Sequence, residues 1–580
     1  MATTSELDRV TAIVLRFMRR PILVLIVIYA IAISGLVLIP GQDAEGNPTH
    51  MSFFHAFYFL TYTATTTGFG EIPHPFTDAQ RLWAIVLLYG SVVAWIYAIS
   101  SIIRLVRNPH FQQAVAQRSF ARSARGITEP FFIICGFGDT GSLLTRGLDD
   151  AGCTAVIIDK DEDRIKALSL RDYRKTMPGL CADASAPKHL IDAGVKNPNC
   201  RAIVALTDDE EVNIKITVMA RLLNPSVRVI CLSTVHRRGE YLDTIGAVET
   251  MDPFGAFAKW LGTALYAPLL HTLKHWLIGA QGFSLDKPLS PPKGVWILCG
   301  YGRMGQRLRE SLHTHEVRTI IIDPDMEGAE DLPAKQKVLG YANADTLRKA
   351  GIGKAVGVVA ATDSDSDNLG VLLAARSLNP NIYMVVRQNH HENELAFNAA
   401  NADLIMQPSL ITARNILFDL LSPLIHTFLD HMREDRETQL QEVINRIIET
   451  LGTSVPHLWT ATICQKDASA VTILKKGGYT VTLGDILRDP LDRERNLACI
   501  PLVLNRQHGA IVMPDGTQAI KARDQILFCS TKYARRQVDA TLNNEYTLQY
   551  VVNGVQKPRG YVMQWLARRL SSERALTLGG

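Results

Sequence analysis

Three stretches of the 580-residue chain set chemically useful residue types at the spacings their chemistry needs. The first, Thr63 to Glu71, reads TATTTGFGE, with glycines at the alternate positions 68 and 70. Glycine adopts backbone angles closed to other residues, so an extended strand with alternate glycines can aim successive carbonyls to one side. Four such strands about an axis would stack rings of carbonyl oxygens in place of an ion's hydration shell. The plainer reading is an ordinary Thr/Gly turn. The other two stretches are ICGFGDTG, with Gly136, Gly138 and Gly141, and LCGYGRMG, with Gly300, Gly302, Arg303, Met304 and Gly305. Each follows an apolar β run and opens a helix pattern, and a second β run then ends in Asp159 or Asp323, 18 residues after the third glycine. That is the context of a dinucleotide site: glycines for a tight turn and close phosphate approach, a helix N-terminus for partial positive charge, and an Asp for ribose hydroxyls. The competing reading is a sheet that keeps its glycines for helix packing and binds nothing.

The two glycine turns are not equivalent. Asp139 follows the second glycine of the first, where a carboxylate occupies the positive helix end and repels a pyrophosphate; Arg303 stands at that position in the second. The second copy is therefore the expected nucleotide site, and Asp323 favours NAD(H) or an adenine nucleotide over NADP(H). The acidic runs DKDED (159–163), TDDEE (207–211) and DSDSD (363–367) can hold calcium, Ca2+. DSDSD lacks the glycine and bidentate Glu of an EF-hand loop, so solvated strand-end loops are the plainer expectation.

These stretches need elements to hold them. Pro21 to Pro40 and Leu82 to Ile103 are uncharged runs of 20 and 22 residues, each long enough as a helix to cross a hydrocarbon core of about 30 Å. The first exceeds the apolar core of a signal peptide and no small-residue cleavage site follows it. No Lys or Arg lies between Pro21 and Gln80, whereas Arg16, Arg19 and Arg20 precede and Arg104, Arg107, Arg118, Arg122 and Arg125 follow, so both termini are expected to be cytoplasmic. Between the runs, HMSFFHAFYFLTYTA is too short to span and suits a re-entrant helix N-capped by Ser52. Non-helical backbone at membrane depth must be buried in protein or line a water-filled cavity, which argues against the plain turn. Lys and Arg number 61 against 57 Asp and Glu, too even a balance to indicate a nucleic-acid partner. All nine cysteines lie at or beyond Cys135 with no CxxC pair, which fits a reducing compartment rather than a disulfide or zinc framework.

The region beyond the second apolar run is duplicated. Cys135, Gly136, Gly138, Gly141 and Asp159 answer to Cys299, Gly300, Gly302, Gly305 and Asp323 at an offset of 164. Thr207, Asn213, Asn224, Pro268 and His271 answer to Thr362, Asn368, Asn379, Pro423 and His426 at an offset of 155.

TATTTGFGE, between two apolar helices, resembles the TxTTVGYGD signature of tetrameric potassium channels with two transmembrane helices per subunit. The resemblance implies K+ sites built from Thr66, Thr67, Gly68 and Phe69, with Gly70 completing the selectivity filter. Thr67, Phe69 and Glu71 depart from the family's usual Val or Ile, Tyr and Asp, and the Thr67 hydroxyl needs a partner. Gly90, 20 residues after Gly70, is similar in position to the family's gating hinge, with close helix packing as the alternative. The tandem glycine-turn repeats resemble RCK domains, regulators of potassium conductance, which implies an octameric ring under a homotetrameric pore. The expected fold class is an α-helical membrane pore followed by α/β tandem Rossmann-like domains and a small α+β C-terminal lobe.

The expected boundaries are a cytoplasmic N-terminus at 1–20 and a pore domain at 21–108. Within the pore, transmembrane helices are expected at 21–40 and 82–105, a pore helix at 52–64 and a filter at 66–70. A linker at 109–128, RCK domains at 129–285 and 293–435, and a lobe with tail at 436–580 complete the chain. The implied protein is not an enzyme but a multi-pass channel of the plasma or cell inner membrane, in a lipid bilayer, gated by a small-molecule nucleotide and open to calcium. Two alternatives stand beside it: a membrane-anchored NAD-dependent oxidoreductase and a regulatory subunit of a potassium transporter.

Overall fold

The computed structural model describes residues 2–43, 47–70, 75–233, 248–277, 290–326, 332–434, 437–453, 455–507 and 509–554. Glu71, the boundary near 285 and the tail beyond 554 lie outside them.

Two helices, Ala2–Leu38 and Asp78–Val106, are long and apolar enough to cross a membrane. The first runs on through Pro21, where the uncharged run begins and the membrane helix was expected to start. They pack through complementary sizes. A β-carbon on Gly35 would fall 2.2 Å from Trp83 Nε1, so the indole lies in the space that glycine leaves, and it donates to the Ala32 carbonyl at 3.3 Å. Trp95 Nε1 donates to Tyr29 Oη at 3.0 Å on the same seam. Between them lies the short helix Phe53–Ala64, N-capped by Ser52, whose hydroxyl accepts from His55 N. Ala56 and Leu60 of that helix are buried against Ala32, Ile33 and Leu36 of the first long helix.

The segment expected as a linker is a helix, Pro109–Arg125, capped by Asn108 with Pro109 in its first turn. Its buried Phe120 and Ala124 join the core of the first repeat, so it is bound to that domain rather than free.

Each repeat forms a six-stranded parallel sheet. In the first, Phe131–Cys135 is central; Thr154–Asp159 and Gly179–Cys181 lie to one side, and Cys200–Ala205, Arg228–Leu232 and Val248–Met251 to the other. In the second, Trp296–Cys299 is central, flanked by Thr319–Asp323 and Lys337–Leu339, then by Gly357–Ala360, Tyr383–Arg387 and Leu404–Met406. This 3-2-1-4-5-6 order is that of a doubly wound dinucleotide fold, and the central strands are apolar throughout because helices cover both faces.

The repeats exchange helices. Pro253–Tyr266, which ends the first repeat, packs Phe257, Leu261 and Leu265 against Met304, Leu308 and Leu312 of the second repeat's first helix. Pro408–Leu421, which ends the second sheet, packs Ala413 and Ile416 against Leu144 and Leu148 of the first repeat. A four-stranded antiparallel sheet forms the C-terminal lobe, with Cys499–Arg506 between Gly509–Val512 and Gln525–Ser530, and His457–Thr462 on the outer edge of Gln525–Ser530.

The duplicated Thr and Asn residues form one brace, built twice. Asn213 Oδ1 accepts from Thr207 N and Oγ1 at 2.8 and 2.7 Å, and its Nδ2 donates to the Thr207 and Leu232 carbonyls at 2.9 and 3.2 Å. Asn368 does the same with Thr362 at 3.0 and 2.8 Å and with the carbonyls of Thr362 and Arg387 at 3.0 and 2.9 Å. The brace ties the fourth strand's exit to the fifth strand and so fixes the rim of each glycine turn.

Candidate ion filter and nucleotide clefts

Thr66, Gly68 and Gly70 have φ values of +58°, +63° and +73°, while Thr67 and Phe69 are not left-handed. The sign of φ therefore alternates residue by residue along the strand, with glycine at two of the three left-handed positions. A β-branched residue at positive φ, as at Thr66, is a true outlier. The turn is held by Thr66 N to Thr63 O at 3.0 Å and by Thr67 N and Gly68 N to Tyr62 O at 2.9 and 3.3 Å. The Thr67 hydroxyl lies 3.0 Å from Thr65 Oγ1, which donates to Thr61 O at 2.8 Å. Phe69 is 67% exposed in the single chain.

Gly90 sits in the unbroken helix Asp78–Val106, and the nearest atom to a β-carbon there would be Ile28 Cγ2 at 4.0 Å. Within the chain, close helix approach is served by Gly35 and not by Gly90.

The glycine turns coincide in detail. Gly136 and Gly300 are left-handed, with φ of +107° and +101°. A β-carbon on Gly141 or Gly305 would fall 2.1 Å from the carbonyl oxygen of Gly136 or Gly300, so these positions seat the helix on the turn. Asp159 and Asp323 each accept from the backbone of the turn, from Phe137 N and Tyr301 N at 2.5 Å, and from Asp161 N and Asp325 N at 2.8 Å. Both aspartates thus brace the turn.

The second glycine separates the copies. Next to Gly138, Arg164 lies across the turn, with Nη1 3.4 Å from a β-carbon there, and pairs with Asp159, Asp161 and Asp208 at 3.7, 3.6 and 3.6 Å. At Gly302 no atom lies within 4 Å of that point, and a cavity of about 510 Å³ opens, lined by Gly300, Gly302, Asp323, Tyr341, Asp363 and Arg387 among others. The offset that aligns the turns aligns Arg164 with Gly328, a residue without a side chain.

Two residues assigned to the second cleft from sequence lie elsewhere. Met304 is fully buried in the core, since the second position of the helix turns toward the sheet. Arg303 lies over the ring of Phe254, 5.2 Å from its centroid, outside the cavity lining. The cation that does line the cleft is Arg387, at the end of its strand, which donates to Asp363 Oδ1 at 2.5 Å. Burial pushes the Arg387 pKa down, against the pull of the Asp363 carboxylate. Sequence reasoning missed it because it follows the glycine turn by more than eighty residues; its one signal is the contrast with Leu232 at the matching position of the first repeat.

The acidic runs are largely solvated at strand ends, and some of their members also cap helices or brace neighbouring loops. Asp161 accepts from Asp163 N and Arg164 N, and Asp209 from Glu211 N and Val212 N. Asp365 is buried and accepts from Asn389 N, His390 N and Asn393 Nδ2 at 2.7, 3.0 and 2.7 Å, which holds its pKa below the usual carboxylate range despite desolvation. Among the described residues, no three His, Cys, Asp or Glu side chains converge on a metal position.

Comparison with known proteins agrees with this division of the chain. Residues 22–108 match the ion channel family model, and residues 132–253 and 296–408 match the TrkA-N domain model. Potassium channel protein 1 of Methanocaldococcus jannaschii is 29% identical over 195 residues, covering 32% of this chain and 57% of the relative. Probable potassium channel protein 2 of the same organism is 33% identical over 159 residues, covering 25% and 46%. The chain thus spans about half the length of these curated relatives. A solved structure described as the GsuK channel bound to NAD aligns over 92% of this chain and 99% of its own, at 18% identity and a TM-score of 0.45. The chain therefore carries an ion-channel segment followed by two TrkA-N domains.

Proposed function

We propose that the protein is a potassium-selective channel of the plasma or cell inner membrane, with both termini cytoplasmic, gated by a nucleotide bound in its second TrkA-N domain. The observation that carries the pore reading is the alternating backbone handedness at Thr66, Gly68 and Gly70, at the end of a short helix cradled between two membrane-length helices. Such a strand supplies one wall of a carbonyl-lined pore, and four chains complete it, so the functional unit is a homotetramer whose eight TrkA-N domains ring the cytoplasmic mouth. The names of the two M. jannaschii relatives support the ion assignment.

NAD(H) or an adenine nucleotide is the ligand class that fits the second cleft, where Gly302 leaves open space at a helix start and Asp323 lines the cavity. In the first cleft Arg164 fills the corresponding space with its own ion pairs. The nucleotide acts as a regulator, bound rather than turned over.

Planar-bilayer recording of the purified protein tests both parts. Potassium should permeate in strong preference to sodium, and NAD or ADP on the cytosolic side should change the open probability. Gly302→Val fills the open space without backbone strain and should abolish nucleotide binding and response, whereas Gly138→Val should leave both intact. Equal potassium and sodium permeability would reject the pore assignment; the reverse ordering of the two valine variants would move the site to the first domain.

A further inference from the structure

Three arginines of the second TrkA-N domain converge on the first turn of the first domain's crossover helix, Pro253–Tyr266. Asp252, the N-cap of that helix, accepts from Phe254 N at 3.0 Å through one oxygen and from Arg307 Nε at 3.0 Å through the other. Phe254 itself is buried, and two guanidiniums lie over its ring: Arg303 at 5.2 Å and Arg387 at 4.8 Å from the centroid. Arg387 also lines the open nucleotide cleft. It is 9% exposed, and its Nε is buried without a hydrogen-bond partner. Its carboxylate partner, Asp363, has a side chain 79% exposed. A buried guanidinium with an unused donor, beside a second guanidinium and against a single solvated carboxylate, is an incompletely satisfied cation at the wall of a cavity.

The corner is absent from the other half of the molecule. At the matching offsets Phe254, Arg303 and Arg387 become Ser409, Asp139 and Leu232, and the helix exchange is made there without any of them. The fold therefore does not need two arginines on a ring at this point, which separates the feature from packing.

We infer that the phosphate groups of a nucleotide in the second cleft and the ring of Phe254 compete for the guanidinium of Arg387, so that nucleotide binding loosens the first turn of the first domain's crossover helix. The inference rests on the nucleotide reading of that cleft. A phosphate gives Arg387 the acceptor its Nε lacks and offers the guanidinium fork a bidentate partner, which a ring face cannot. Drawing the Arg387 guanidinium away removes a cation–π contact that holds Phe254, the residue whose N–H donates to the Asp252 cap. The first domain, joined to the pore, thereby receives a signal from a ligand it does not touch.

The test uses the full-length protein in lipid nanodiscs, with ADP and adenosine as probes. In Phe254→Leu the Arg387 guanidinium has no competing ring, so ADP should bind about three- to tenfold more tightly, while adenosine, which has no phosphate, should bind as in the unmodified protein. Unchanged or weaker ADP binding, or an equal gain for adenosine, would overturn the coupling. Hydrogen exchange on the unmodified protein decides the matter should that variant fold poorly: amides of residues 254–260 should exchange several-fold faster with ADP present, and unchanged or slower exchange is the contrary result. Failure of ADP to bind the unmodified protein would remove the nucleotide reading and this inference together; ADP binding with a neutral Phe254→Leu removes the inference alone.

Discussion

Gly68 holds φ at +63° with no atom within 4 Å of the position a β-carbon would take. Gly68→Ala therefore meets no clash within the chain but acquires left-handed strain of about 1–2 kcal/mol, enough to redistribute a short exposed strand. The expected outcome is a protein that folds and assembles but no longer discriminates potassium from sodium, read as the permeability ratio under bi-ionic conditions; an unchanged ratio would remove these residues from the filter. At the buried end of the scale, Asn368 makes four hydrogen bonds inside the second TrkA-N domain. Asn368→Ala leaves Thr362 and two carbonyls short of partners and should cost about 2–4 kcal/mol, visible as a lowered unfolding temperature that saturating ADP only partly restores. The residues readable from sequence are those whose backbone role dictates their type, such as Gly68, Gly136 and Gly300. Arg387, Phe254 and Arg164 carry no such signature: each is an ordinary residue until the fold brings it against a glycine turn far away in the chain.

At the scale of elements, the second membrane-length helix and the helix Pro268–Leu277 each make a measurable claim. Ser101 is buried, with its hydroxyl donating to Tyr97 O at 2.8 Å and accepting from Arg104 at 2.9 Å, whereas Ser100 is exposed. No Asp or Glu lies between Asp78 and Glu129, so the cytoplasmic mouth of the proposed pore would have no acidic ring from this segment to concentrate cations. Ser100→Glu should raise single-channel conductance at low salt and have little effect at high salt, where screening removes the advantage. In the other helix, His271 and His275 pack with ring centroids 4.6 Å apart beside Trp260. Burial pushes the His271 pKa down to about 3 and depresses that of His275 as well. The unfolded chain then takes up protons below about pH 6.5 while the folded one does not, so stability present above that pH is lost as pH falls toward 3. His271 contributes up to about 1.4 kcal/mol per pH unit in that window, and His275 acts in the same direction. Unfolding temperatures should fall between pH 7 and pH 5, and His271→Leu should flatten the profile; a profile unaltered by that change would contradict the assignment. The two long apolar helices and the short helix between them, with its Ser52 cap, were legible from length, charge and capping pattern. The helix Pro109–Arg125 was not, because its polar surface hides the two residues, Phe120 and Ala124, that dock it.

At the scale of the whole molecule, the reciprocal helix exchange makes each parallel-sheet domain depend on the other. Duplication was visible in the paired offsets, but the exchange was not, since a repeat that keeps its own helix and one that lends it to a neighbour share one pattern of apolar residues. The crossing points differ in size in a way that carries meaning. Gly147 of the first domain lies under Leu417, whose Cδ2 is 2.6 Å from where a β-carbon would be, and Gly262 lies under Ser311, with Oγ at 2.5 Å. These are the same two positions of the repeat with the small partner on opposite sides. Two first domains brought together would set Gly147 against Gly262 and leave a void; two second domains would set Ser311 against Leu417 and collide. Like-with-like pairing would lose this fit in both directions, so the proposed ring of such chains would set first domain beside second at each of these seams.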